Sequence, residues 1–497
     1  SSAVQNIIVK KPPTVTINSI SNICQSGSST TINPTAVING CAPASSTLTY
    51  AWNFPGGNPA ISNLANPGTI TYSTFGTYTV SLSVTNECGT TVATNKTFTI
   101  NPSPTITGTF SVCIGNTSQL QGSPAASAAS AWVSSNPSVA TVSNTGLITG
   151  VSVGITNITY TNSNGCQSTI VFTVNPLPTI TGNLNVCVNS TTQLTGSATA
   201  ATTNAWTSFN TSVATVNTSG LVTGVSAGTT TITYTNSNGC QRSITFTVNA
   251  LPIITGTLNV CVGSTRQLTG SATAATTNAW TSLNTSVATV NTSGLVTGVS
   301  AGTATITYTN TNGCQISATI TVNDVPTITG SLVICAGSTT QLTGSATAAT
   351  TNAWISSNIS VATVNTSGLV TGVSAGTTTI TYTNTNGCQI TATVIINALP
   401  TITGILNVCV GSTRQLTGSA TAATSNAWTS SNASVAIVNN SGLVTGISAG
   451  TATITYTNSN GCQITATVTV NDLPTITGIL VICANTTTQL TGSATAA

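Results

Sequence analysis

Residues 229–248, TTTITYTNSNGCQRSITFTV, carry the pattern that decides the fold. Apolar and small polar residues alternate on both sides of Asn238-Gly239, a period of two that suits a strand and not a helix. The alternation turns Ile232, Tyr234, Ile244, Phe246 and Val248 to one face and Thr231, Thr233 and Thr235 to the other. Asn-Gly is the dipeptide that tolerates positive φ at both central positions of a tight hairpin turn. It recurs at Asn164-Gly165, Asn312-Gly313, Asn386-Gly387 and Asn460-Gly461.

That spacing is the signature of a 74-residue unit copied without insertion or deletion. Cys113, Cys187, Cys261, Cys335, Cys409 and Cys483 keep it, as do Cys166, Cys240, Cys314, Cys388 and Cys462, and Trp132, Trp206, Trp280, Trp354 and Trp428. Within the copy at 177–250, short runs rich in Val, Ile and Thr are separated by Gly, Asn and Ser. They give strand A at Thr179–Gly182 continuing through Leu184–Val188, B at Thr192–Ser197, C at Ala205–Ser208 and D at Val213–Val216. E follows at Leu221–Val225, F at Thr229–Thr235 and G at Gln241–Val248. Seven short antiparallel strands with Trp206 as the largest inward side chain make an all-β sandwich. Six complete modules joined by constant short linkers predict an extended rod on the order of 200 Å long.

Composition excludes whole classes of function. Lys and Arg number 6, Asp and Glu 3, and His is absent. The acids Glu87, Asp324 and Asp472 lie far apart, so neither a carboxylate pair for acid–base catalysis nor a calcium cage can be assembled. No catalytic residue, no metal ligand and no cofactor site is expected. Arg242, Arg266 and Arg414 stand singly, so no nucleic-acid footprint is expected either. There is no apolar run long enough for a membrane span. Residues 4–11 (VQNIIVKK) read as the last strand of a preceding module, and the chain stops about 25 residues into another copy. Both ends read as cuts in a longer secreted protein.

The string SVATVNTSGLVTGVSAGTTTITYT at 212–235 resembles the bacterial immunoglobulin-like group 2 family, and the likeness covers residues 103–497. AWNFPGG at 51–57 and TYSTFGTYTVSLSVTNECG at 71–89 resemble a PKD domain whose acidic turn residues are missing. The resemblance implies tandem Ig-like β-sandwiches arranged head to tail. The expected organisation is 1–11, the end of a preceding module; 12–102, PKD-like; then repeats at 103–176, 177–250, 251–324, 325–398 and 399–472; and 473–497, the start of another. The combination is similar to the very large SprB-like surface adhesins that Bacteroidota export by the type IX route.

The cysteines without His or CxxC motifs read as disulfides formed in an oxidising, extracellular setting. In an Ig-like sandwich Cys187, late on A, falls at the downstream end of its module, and Cys240, just after the F–G turn, at the upstream end. About eight strand residues separate them, on the order of 25 Å, whereas a disulfide needs Cα atoms within about 7 Å. Head-to-tail stacking instead brings a late-A cysteine to the F–G cysteine of the next module. The expected pairs are Cys24–Cys166, Cys113–Cys240, Cys187–Cys314, Cys261–Cys388 and Cys335–Cys462. Cys41 and Cys88 close within the first module, and Cys409 and Cys483 await partners outside this sequence.

Two surface features compete with bland readings. The tryptophans would suit sugar stacking, yet a strand-C Trp is ordinarily core. The threonine rows would suit ice or glycan, yet Thr is simply a good strand former that keeps an uncharged surface wet. Sequons such as Asn210-Thr211-Ser212 follow from composition, and no Lys after Lys96 remains for isopeptide bonds. The expected function is a stiff extracellular stalk or filament of a bacterial surface adhesin, with neighbouring modules of the same chain as partners. The alternatives are repetitive carbohydrate- or surface-binding modules acting by avidity, and the spacer of a secreted polysaccharide-degrading enzyme.

Overall fold

The computed structural model describes residues 5, 7, 9–39, 47–127 and 130–493. Cys41 and residues 4, 6 and 8 of the strand expected over 4–11 lie outside it, and the described residues of that run, 5, 7 and 9–11, form no strand. Every element among the described residues is a strand or an isolated bridge, and the chain is a series of Ig-like sandwiches.

In the module at 177–250, one sheet orders A (Ile180–Gly182), B (Thr191–Gly196), E (Leu221–Gly224) and D (Ala214–Val216). The facing sheet orders A′ (Asn185–Cys187), G (Gln241–Asn249), F (Gly228–Thr235) and C (Trp206–Ser208). The sequence reading had one antiparallel strand where the structure has two. A is antiparallel to B, but A′ is parallel to G, with Asn185 opposite Thr247, Val186 opposite Val248 and Cys187 opposite Asn249. The switch occurs at Gly182, whose φ of 126° is one that L side chains rarely adopt, and where a Cβ would press on the Gln193 carbonyl oxygen and Leu194. One strand thereby supplies an edge to both layers.

The F–G turn also differs from a two-residue hairpin. The ladder ends at Thr235 opposite Gln241, leaving five residues, and of the Asn-Gly pair only Gly239 has a positive φ, 77°. The reason is Asn236, which is almost fully buried. Its Oδ1 accepts the N–H groups of Asn238 (3.1 Å) and Cys240 (2.9 Å), while its own N–H donates to the Cys240 carbonyl (3.0 Å). Side-chain hydrogen bonds thus replace the backbone geometry that a primed turn would supply.

The core is the one the alternation marks. Trp206, Ile232, Tyr234, Phe246 and Val248 are buried together with Leu194, Ala214 and Val222, and Ile244 packs at the edge. The Trp206 and Tyr234 rings meet at 4.6 Å and 43°, and the Tyr234 hydroxyl donates to the Ala198 carbonyl at 2.9 Å. Gly196 lies beneath that tyrosine, where any Cβ would overlap the ring. Equivalent Trp–Tyr pairs at 4.5–4.6 Å occupy the other four repeats. These tryptophans are core and not surface platforms.

The chain divides into two compact units, 1–250 and 251–497. The first holds a sandwich built on Trp52, Phe54, Tyr72, Leu82 and Phe98, followed by repeats centred on Trp132 and Trp206. The second holds repeats centred on Trp280, Trp354 and Trp428, and a short antiparallel pair, Ile476–Thr477 with Thr491–Gly492.

Candidate functional site: the cysteine junctions

Each repeat places its two cysteines at opposite ends of two adjacent, parallel strands. Cys113 ends A′ (Ser111–Cys113) opposite Asn175, the last residue of G (Gln167–Asn175), whereas Cys166 immediately precedes G. The residue after the A′ cysteine donates its N–H to the last residue of G, as Ile114 does to Asn175 (3.0 Å) and Val188 to Asn249 (3.0 Å). That bond locks the A′ cysteine beside the point where the chain leaves the module. In the leading sandwich Cys24 ends the strand Ile23–Cys24, parallel to Lys96–Asn101, and Gln25 donates to Asn101 at 2.8 Å.

The F–G cysteines are held by a residue that the sequence reading passed over. Asn162, Asn236, Asn310, Asn384 and Asn458 each sit four residues before a cysteine and are almost fully buried. Each accepts that cysteine's N–H at 2.9–3.0 Å. The signal is the fixed string Asn-(Ser/Thr)-Asn-Gly-Cys, whose first Asn is overshadowed by the turn propensity of the Asn-Gly pair that follows it. Cys166, Cys240, Cys314, Cys388 and Cys462 are themselves buried.

The structure joins Cys24 to Cys166 and Cys113 to Cys240 in the first unit, and Cys261 to Cys388 and Cys335 to Cys462 in the second. Their Cα atoms are 5.5–5.6 Å apart, inside the usual range for a disulfide. In each case the end of A′ in one module meets the F–G loop of its successor, and three of the loops span 127 residues. Cys187 and Cys314 are also disulfide-bonded. Cys88 is an exposed free thiol, and the partner expected for it, Cys41, lies outside the described residues. Cys409 and Cys483 are free.

No group of three His, Cys, Asp or Glu side chains converges among the described residues, and no helix there is long and apolar enough to cross a membrane. Lys10 pairs with Glu87 at the surface, and that hydrogen bond raises the lysine pKa. In the leading sandwich Ile61, Ser81, Ser83 and Val92 border a concavity of about 640 Å³ over Ala51 and Asn53, with no carboxylate, imidazole or thiol in its lining. The Tyr72 hydroxyl is buried without a hydrogen-bond partner, and burial pushes its pKa up to about 12, helped by Tyr78.

Five segments, 96–172, 178–246, 253–322, 318–394 and 402–470, match the bacterial Ig-like domain (group 2). The chain belongs to that family. Residues 11–102 match the PKD domain. The chain is also 31% identical over 378 residues to Ice-binding protein 1 of Shewanella frigidimarina (strain NCIMB 400), covering 65% of this chain and 42% of the relative. The chain therefore spans less than half the length of that relative. Among solved structures, the eight N-terminal Ig domains of the Down syndrome cell adhesion molecule overlay at a TM-score of 0.18 and 13% identity, over 94% of this chain and 75% of that one. The C-terminal 282-residue fragment of intimin, in complex with the intimin-binding domain of its translocated receptor, overlays at 0.24 and 16%, over 39% and 69%. The Bacteroides ovatus glucan-utilisation protein SGBP-B, in complex with a mixed-linkage heptasaccharide, overlays at 0.14 and 17%, over 50% and 72%. Overlays this loose say nothing about function.

Proposed function

We propose that this group 2 Ig-like chain is a structural stalk segment of a secreted bacterial surface adhesin, whose successive modules are stapled by disulfides to present a distal binding region and transmit force. The observation that carries the reading is the repeated bond from the A′ end of one module to the F–G loop of the next, Cys113–Cys240, Cys261–Cys388 and Cys335–Cys462. Such bonds persist in oxidising compartments, and they tie junctions that an enzyme's substrate pocket or a single binding domain would have no need to tie. Type IX export and a part in gliding are the finer form of the same proposal. Antibody labelling of intact cells of the native bacterium, paired with thiol titration of the recovered protein, tests it. Surface label and oxidised junctions are expected; label confined to lysed cells, with free thiols, refutes it.

A second reading, repeated weak binding to an extended surface, rests on the threonine rows and on the relative's name. Thr229, Thr231 and Thr233 on F stand opposite Thr247, Thr245 and Ser243 on G, and the pattern recurs as Thr303, Thr305 and Thr307 opposite Thr321, Thr319 and Ser317. Against it, hydroxyls of these rows bond one another, Thr233 to Ser243 and Thr307 to Ser317 at 2.8 Å. Ice-recrystallisation and glycan-array assays on the chain separate the two readings: activity in either favours surface binding, and none in both favours the stalk.

A further inference from the structure

We infer that the junction bonds reroute tension around the body of each module bonded at both of its ends, and that together they cap how far the oxidised chain can be drawn out. The inference rests on the bonds and the strand directions, and it holds whether or not the chain serves as a stalk.

Consider the module at 325–398. Tension enters at its upstream end through two covalent points, the linker before Pro326 and the Cys261–Cys388 bond. It leaves at the downstream end through two more, the Cys335–Cys462 bond and the linker after Asn397. The first path runs along A and A′ (Ile328–Thr329, Val333–Cys335) and the second along G (Gln389–Asn397). A′ and G are parallel, and Cys335 lies opposite Asn397, so both paths reach the downstream end at the same level. Residues 336–387, with Trp354 and Tyr382, hang between Cys335 and Cys388 and lie on neither path. The repeat at 103–176 is wired identically by Cys24–Cys166 and Cys113–Cys240, with A′ parallel to G and Cys113 opposite Asn175.

Strand residues already rise about 3.3 Å of the roughly 3.6 Å that a fully stretched residue spans, so ten residues on either path can lengthen by only about 3 Å. A 74-residue module unfolded by its two termini would instead release roughly 230 Å. The bonds also set a ceiling that survives complete unfolding. Cys261 and Cys462 are 201 residues apart, but the covalent route through Cys388 and back to Cys335 leaves only 53 residues between them. Through the four bonds, the shortest route from Ser1 to Ala497 is about 185 residues plus the four crossings of 5.5–5.6 Å, at most ~690 Å when taut, against ~1,800 Å for the reduced chain. A further bond can only lower this ceiling or leave it unchanged.

The test is single-molecule pulling of the full chain held at Ser1 and Ala497, with disulfides verified by mass spectrometry. The oxidised chain is expected to stop short of ~690 Å, and a chain with Ser at every cysteine to extend toward ~1,800 Å in steps of roughly 230 Å. Removing one bond with Cys335→Ser and Cys462→Ser should raise the oxidised ceiling by at least 21 residues, about 75 Å. Because the ceilings are covalent, they hold even if a variant folds poorly. An oxidised chain that passes ~690 Å with its bonds intact overturns the inference, as does a double variant with an unchanged ceiling.

Discussion

Replacing Asn384 by Ala isolates the device that holds each F–G cysteine. The Asn384 side chain is 3% exposed and its Oδ1 accepts two N–H groups, from Cys388 at 2.9 Å and from Asn386 at 3.1 Å. Alanine leaves both donors without that acceptor, one of them on a buried residue, and opens space where the carboxamide was. Each bond is worth roughly 1 kcal/mol net, and a buried donor left unpaired costs about 1–3 kcal/mol, so the loss should total about 2–4 kcal/mol in that module alone. For a domain of this size each kcal/mol moves the melting temperature by roughly 4–8 °C. Calorimetry on the oxidised chain should therefore show one of the repeat transitions displaced downward by roughly 8–30 °C, with the others in place. The second readout is oxidative refolding, in which the Cys261–Cys388 bond should form later than Cys335–Cys462 by peptide mapping, because the loop no longer fixes the thiol. A destabilisation under about 0.5 kcal/mol together with unchanged pairing would refute the claim that Asn384 organises the junction.

Three further outcomes follow from particular residues. Trp354→Ala removes the ring packed against Tyr382 at a centroid distance of 4.5 Å and a tilt of 41°, and should cost about 3–5 kcal/mol, read by chemical denaturation, whereas Phe209→Ala, at an exposed side chain, should fall within ±0.5 kcal/mol. Gly344→Ala should destabilise comparably to a core deletion, since a Cβ there would overlap the Tyr382 ring; wild-type melting would show that the ring can move aside. Tyr72 keeps its proton more tightly when folded than when unfolded, so the leading sandwich should lose stability as pH rises from 10 toward about 12, and be insensitive below 10. Tyr72→Phe should abolish that alkaline dependence without loss of stability at pH 7, because the hydroxyl it removes is buried and unpaired; melting curves at pH 7, 9 and 11 decide it.

What the sequence disclosed and what it withheld divide along a physical line. Period-two alternation reports which face of a strand is apolar, so Ile232, Tyr234, Phe246 and Val248 were legible as core, and the fixed step of the tryptophans marked one core per repeat. Alternation is blind to which strand lies alongside. The run from Ile180 to Cys187 looks like one strand because both halves carry the same chemistry, and only the φ at Gly182 and the crowding against Gln193 send its second half to the other sheet. The Asn-Gly pair misled for a related reason: turn propensity is local, whereas the turn is set by Asn236, a buried side chain two residues outside the dipeptide. A buried Asn in a chain so rich in exposed Asn has no compositional signature, and only its constant distance of four from a cysteine sets it apart. The junction cysteines were more legible than either, because their pairing depends on strand direction over many residues and not on local geometry. A cysteine at the downstream end of one strand and another at the upstream end of its parallel neighbour cannot reach each other across a module, so a chain that repeats this arrangement must look to the next copy for each partner. That constraint makes the repeat period itself part of the chemistry, since altering the distance between Cys113 and Cys240 by even one inserted strand residue would shift one sulfur by about 3.3 Å and turn it to the other face.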